Sequence, residues 1–249
     1  MIIDPLVSPL LSPLLFDLGL GDFLRIRLPG TPARAYSPTS HPSSPGSFTI
    51  VVRVYPNGKL SPRLAAMEPG DVADVIGPLP VPWLTRKRCP GGAQHIALVI
   101  FGVAVTELVS LLRSELLSPV TMGVTVLWCL RTREELAIGR GLLDEFDECG
   151  ERVRITHAFS RSEPRRRAGP QLMEEIFGHL DRGTTAVVAV GRKRAERECY
   201  GWFRGMGFRR RLMRMGVRCG RRERSPLWTS VEYGIVGTEA VSTLETSKA

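Results

Sequence analysis

Between positions 95 and 206 the chain repeats one couplet four times: a short, mostly apolar run, then a longer stretch with helical spacing. The runs are 95–101, 124–130, 153–159 and 185–190, and the helical stretches are 105–117, 134–148, 171–180 and 195–206. A strand covered on both faces has no polar side to show, so it reads as a continuous apolar run. Strand then helix, repeated, is the pattern of a parallel, doubly wound sheet. An α/β domain is therefore expected over 91–208.

The first ninety residues are written differently. Short β-type runs at 23–28, 33–37, 48–55 and 72–76 are separated by Gly, Pro and Ser clusters, which predicts a small antiparallel β-barrel over 1–90. One short helix is expected over 60–67, ahead of a Pro69-Gly70-Asp71 turn, and 10–18 is a candidate for an additional barrel strand. The Pro-Gly-Gly stretch within 86–94 reads as the linker between two domains. Residues 209–249 read as a basic tail without regular order.

The formal charge of +9 resembles a nucleic-acid signal until it is located. Residues 192–224 hold thirteen Lys or Arg and three Glu, so that one segment exceeds the charge of the whole chain. Nucleic acid is not an expected partner, because the rest of the molecule is close to neutral. Cys89, Cys129, Cys149, Cys199 and Cys219 are odd in number and form no C-x-x-C pair. That excludes a zinc site or a disulfide framework and points to a reducing, cytoplasmic setting. No apolar run reaches the roughly 18 residues of a transmembrane helix. The four histidines have no metal spacing, and the carboxylates of 134–148 read as a solvated, ion-paired helix face.

Two motifs in the first half bear on chemistry. Arg34-Ala35-Tyr36-Ser37-Pro38-Thr39-Ser40 puts a cation and an aromatic two apart on a strand, hence on one face. Tyr55-Pro56-Asn57-Gly58-Lys59-Leu60-Ser61 offers a cation, backbone N–H groups and a hydroxyl to a diphosphate. Together they suit a flavin nucleotide. With Val52-Arg53-Val54-Tyr55, Pro69-Gly70-Asp71 and Gly77-Pro78-Leu79 in the same order, and with the α/β domain behind, the chain resembles the ferredoxin reductase and NADH-cytochrome b5 reductase superfamily over 19–208.

The resemblance implies an FAD-dependent NAD(P)H oxidoreductase: a flavin barrel, a nicotinamide-nucleotide α/β domain, and electrons passed from NADPH or NADH through FAD to an acceptor. That acceptor would be a heme protein, a partner dehydrogenase subunit or a small molecule. By the same resemblance Arg34 holds the flavin diphosphate, Tyr36 packs on the isoalloxazine and Ser37 hydrogen-bonds it. Val54 and Tyr55 lie along the nucleotide, and Gly58, Lys59, Leu60 and Ser61 cradle the diphosphate. No side chain is assigned acid or base catalysis.

In the second half the family's Gly-Gly-Thr-Gly-Ile-Thr-Pro turn is replaced by Phe101-Gly102-Val103-Ala104-Val105-Thr106-Glu107, leaving Gly102 and Thr106 as candidates. Its Cys-Gly-Pro-Pro-x-Met is replaced by Val190-Gly191-Arg192-Lys193-Arg194-Ala195, leaving Gly191. Arg131 and Arg133, after the second strand of the α/β domain, lean toward NADPH because a 2′-phosphate needs a cation. Met213-Arg214-Met215-Gly216-Val217-Arg218-Cys219-Gly220 resembles a shortened form of the [2Fe–2S] run of dihydroorotate dehydrogenase electron-transfer subunits, but one cysteine cannot hold a cluster. The alternative is a degenerate reductase-like protein that has lost nicotinamide binding and acts as an accessory or interaction protein.

Overall fold

The structure is a computed structural model, which describes residues 2–3, 22–40, 48–68, 70–79, 93–116, 121–139, 141–208, 212–214 and 229–232. The chain divides into two compact units. One comprises Met1–Leu79 with Arg224–Ala249, the other Pro80–Glu223.

The first unit is antiparallel. Its strands are β1 (Ile2–Ile3), β2 (Phe23–Arg27), β3 (Arg34–Tyr36), β4 (Ile50–Val51) and β5 (Val72–Leu79), with helix α1 (Ser61–Ala65) between β4 and β5. β5 pairs with β2 and β2 with β3, placing Leu24 opposite Tyr36 and Ile26 opposite Arg34. A bridge from Pro38 to Ile50 links the end of β3 to β4, which pairs with β1. Leu24, Ile26, Ile50 and Val75 point inward with Phe48, Val52, Leu60 and Leu64 and form one core. Each such side chain contributes about 1.5–3 kcal/mol on leaving water.

One expectation for this unit changes, and another lies outside the described residues. The run 48–55 forms a ladder only at Ile50–Val51, because its partner is the two-residue β1; Val54 and Tyr55 lie beyond the strand. The added N-terminal strand is Ile2–Ile3, while 10–18 lies outside the described residues. The Pro69-Gly70-Asp71 turn is closed by Asp71 N–H donating to Glu68 O at 3.0 Å and Glu68 N–H donating to the Asp71 carboxylate at 2.8 Å. Gly70 there has φ +96°, a conformation that costs little only for glycine.

The second unit is a parallel sheet of β6 (His95–Phe101), β7 (Gly123–Leu130), β8 (Val153–Phe159), β9 (Thr185–Val190) and β10 (Leu212–Arg214), in the order β10-β9-β6-β7-β8. Its helices are α2 (Val105–Leu116), α3 (Pro170–Phe177) and α4 (Lys193–Gly205). The period of two along β6 assigns both faces. Ile96, Leu98 and Ile100 join Val105, Leu108 and Leu112 of α2 in one core. Ala97 and Val99 join Met173 and Phe177 of α3 and Cys199 and Phe203 of α4 in the other. The doubly wound expectation is met.

The helix expected over 134–148 is absent. Two 3-10 stretches, Arg133–Gly139 and Asp144–Arg152, stand in its place. Gly141 at φ +73° and Gly150 at φ +53° break the α-helical path. Gly139 lies so close to Trp128 that a Cβ would meet its ring at 2.6 Å. Of the expected carboxylate face, Glu145 does pair with Arg113, at 2.6 Å. The basic tail, expected without order, supplies β10 to this sheet and β11 (Thr229–Glu232) to the edge of β5 in the first unit.

Candidate functional site

In the first unit, β3 sets the geometry. Arg34 and Tyr36 share a face of the strand, Arg34 exposed and Tyr36 half-buried against the core. Burial raises the Tyr36 phenol above its ordinary value; the nearby Arg34 guanidinium lowers it and the nearby Tyr55 phenol raises it further. These influences place Arg34, Tyr36 and Tyr55 in one neighbourhood. Tyr55 remains 48% exposed and Val54 44%, two large apolar groups left facing water at the same place. The Arg53 guanidinium lies 5.8 Å from the centre of the Tyr55 ring.

The chain after Tyr55 folds back on itself. Gly58 N–H donates to Tyr55 O at 2.7 Å, and Tyr55 N–H donates to Ser61 Oγ at 3.0 Å. Gly58 is required by this closeness, since a Cβ there would stand 2.9 Å from Ser61 Oγ and 3.0 Å from Tyr55 O. Lys59 is exposed at the tip, whereas the Leu60 side chain is buried in the core. Only the backbone of Leu60 remains for a ligand. Ser37 is half-buried between β3 and the Pro38 bridge.

In the second unit the remaining candidates lie at the carboxyl ends of the parallel strands, where α/β sheets bind ligands. Gly102 has φ +60° and turns the chain from β6 into α2. Its carbonyl accepts the Trp128 indole N–H at 3.0 Å. The Thr106 hydroxyl donates to Val103 O at 3.2 Å and is buried. Gly191 N–H donates to the Glu196 carboxylate at 3.2 Å, and the Phe101 ring rests on Gly191. Glu107 stands near Glu196; burial foremost, then that second carboxylate, pushes its carboxyl up to about 7.

Arg131 is exposed at the end of β7, its N–H donating to Glu135 Oε2 at 2.9 Å. Arg161 takes the equivalent place after β8, with its N–H donating to Arg131 O at 2.7 Å. Sequence reasoning missed Arg161. The available signal was positional: it stands just past an apolar strand, as Arg131 does. Arg133, by contrast, is held over the Phe159 ring at 5.0 Å and donates to Glu163 O at 3.3 Å. Cys129 and Cys199 are pushed up by burial, the latter to about 12, so neither supplies a thiolate at neutral pH.

Residues 12–80 match the oxidoreductase FAD-binding domain family. An NADH-cytochrome b5 reductase-like protein from Arabidopsis thaliana is 33% identical over 86 residues, 34% of this chain and 25% of that protein. NADH-cytochrome b5 reductase 2 from Botryotinia fuckeliana is 34% identical over 113 residues, 45% of this chain and 31% of that protein. The matched segments thus span about a quarter to a third of these relatives.

Among solved structures, the CS-b5R domains of human Ncb5or in the NAD+ form superpose with a TM-score of 0.67 at 18% identity, covering 85% of this chain and 64% of that one. A ferredoxin NADP+ reductase from Neisseria gonorrhoeae with bound FAD and NADP gives 0.62 at 18% identity, covering 83% and 91%. At these identities the likeness is one of fold.

Proposed function

We propose, from the match of residues 12–80 to the oxidoreductase FAD-binding domain family and from the likeness of the fold to ferredoxin reductase-type structures, that this chain acts as an FAD-dependent NAD(P)H oxidoreductase that hands electrons to a heme protein. The observation that carries this reading is the convergence of Arg34, Tyr36 and Tyr55 beside the Gly58 turn. A flat aromatic ligand with a diphosphate needs such a set: an apolar wall, a cation and a backbone turn without side-chain bulk.

The residues present fit FAD. Arg34 and Lys59 supply positive charge for a diphosphate, and the Gly58 turn keeps its surface clear of a Cβ. Tyr36 stands beside Leu24 across the β2–β3 ladder and packs partly on the core, which limits the movement of its ring. Val54 and Tyr55 would gain cover from the bound cofactor, and Ser37 would offer it a hydroxyl. When bound, FAD accepts two electrons from the nicotinamide and releases them singly. The protein's share is placement, so no acid or base is required.

In the α/β unit, Gly102 shapes the turn at the donor site and the Trp128 indole fixes that turn. Arg131 and Arg161 offer two exposed cations where a 2′-phosphate needs them, which favours NADPH over NADH. Cys129, Cys149 and Cys199 are free thiols, in keeping with a reducing compartment, which we read as the cytoplasm. No helix among the described residues is long and apolar enough to cross a membrane.

The test is direct. The purified chain incubated with FAD should turn yellow and keep its colour through gel filtration. Anaerobic addition of NADPH should then bleach the flavin band, and oxidised cytochrome b5 should restore it. A chain that stays colourless with FAD would refute the flavin reading.

A further inference from the structure

We propose that Phe101 gates the donor crevice: its ring lies over Gly191 between the carboxyl ends of β6 and β9, fills the place a dinucleotide would take, and must swing aside to admit one. The inference rests on the nicotinamide-donor reading above and adds its control.

The position follows from topology. β6 and β9 are adjacent and parallel, and the helices that follow them, α2 and α4, pack on opposite faces of the sheet. That divergence opens a crevice, and it is where ligands of doubly wound sheets sit. In this chain the crevice has an occupant. A Cβ on Gly191 would stand 2.8 Å from Phe101 Cδ2, 3.0 Å from its Cβ and 3.2 Å from its Cγ. The close approach that a glycine permits at this point is already used by the ring.

The polar groups around the ring are also engaged. Gly191 N–H, which could meet a phosphate oxygen, donates to Glu196. The Thr106 hydroxyl donates to Val103 O, and the Gly102 carbonyl accepts from Trp128. Two carboxylates, Glu107 and Glu196, lie at the starts of the two helices, where an anion would otherwise be favoured. A dinucleotide entering here displaces an aromatic ring and approaches the Glu196 carboxylate. Phe101 is half-buried at the border of the second core and turns about only two side-chain torsions, so a swing is geometrically modest.

A gate lowers apparent affinity by the fraction of time it stands open; one open about a tenth of the time weakens binding about tenfold. The experiment titrates oxidised NADP+ and NAD+ into the FAD-loaded chain, its Phe101→Ala variant and its Phe101→Val variant, reading the flavin difference spectrum and calorimetric heat. Phe101→Val keeps an apolar, strand-compatible side chain and guards against loss of fold in Phe101→Ala. Dissociation constants about tenfold lower in the variants, with an unchanged flavin spectrum, support the gate. Equal or weaker binding in the variants overturns the gate and leaves the donor reading standing. If neither dinucleotide binds wild type or variants while dithionite still reduces the flavin, the gate and the donor reading both fall.

Discussion

Replacing Glu107 by Gln should leave stability unchanged below about pH 4.5, raise it progressively as pH climbs from there, and reach its full effect above about pH 7. The Glu107 carboxyl is raised from its ordinary 4.5 to about 7, by burial first and by the Glu196 charge second. A group raised on folding favours the protonated native state. Its contribution is whole below about 4.5 and is lost as pH rises through about 7. At about 1.4 kcal/mol per pH unit between the two values, ionising Glu107 in the fold costs about 3 kcal/mol. Solvent reaches part of this side chain, so that figure is a ceiling. Gln carries no charge at any pH and removes the cost. Urea unfolding followed by tryptophan fluorescence should show wild type losing up to about 3 kcal/mol between pH 4.5 and pH 8.5, with most of that loss absent in the variant. Equal losses in both proteins would show that Glu107 is not held in a neutral form and would refute the reasoning.

Three further outcomes are expected. Tyr36→Phe should keep FAD bound, since the ring and its packing remain, whereas Tyr36→Ala should weaken FAD about tenfold to a hundredfold in equilibrium dialysis. Gly58→Ala forces a Cβ to within 2.9 Å of Ser61 Oγ and 3.0 Å of Tyr55 O; it should cost about 1–3 kcal/mol in urea unfolding and speed flavin release. Arg131→Glu should raise KM for NADPH at least tenfold more than KM for NADH, the worth of a charge-assisted contact of about 1.5–3 kcal/mol; equal effects on the two would remove Arg131 from 2′-phosphate recognition.

The parallel sheet was legible because each of its central strands is covered on both faces, and Ile96 to Ile100 can be written only in apolar letters. The 134–148 stretch misled for the opposite reason. Its acidic residues have helical spacing, but Gly139 is pressed against the Trp128 ring on the preceding strand, and Gly141 turns left-handed in a local turn where its N–H donates to the Asp144 carboxylate. The strands at Leu212–Arg214 and Thr229–Glu232 were hidden by the arginines around them: an edge strand pairs through its backbone, and composition says little about that. At the candidate site, spacing was enough to put Arg34 and Tyr36 on one strand face. It did not reveal that Leu60 faces inward, or that Phe101 sits on Gly191. Both depend on residues distant in sequence, ninety positions in the case of Phe101 and Gly191.

The two late strands also change what a shortened chain would be. One lies against β9 in the α/β unit and the other against β5 in the first, so the polypeptide passes from unit to unit twice. Cutting after Phe208 would sever the return passage and leave two sheets with bare margins, each an invitation to pair with a foreign backbone. A trimmed version chosen for tidiness would therefore be more prone to clump than the 249-residue chain. The basic extension acts as a selvedge that keeps both fabrics from fraying.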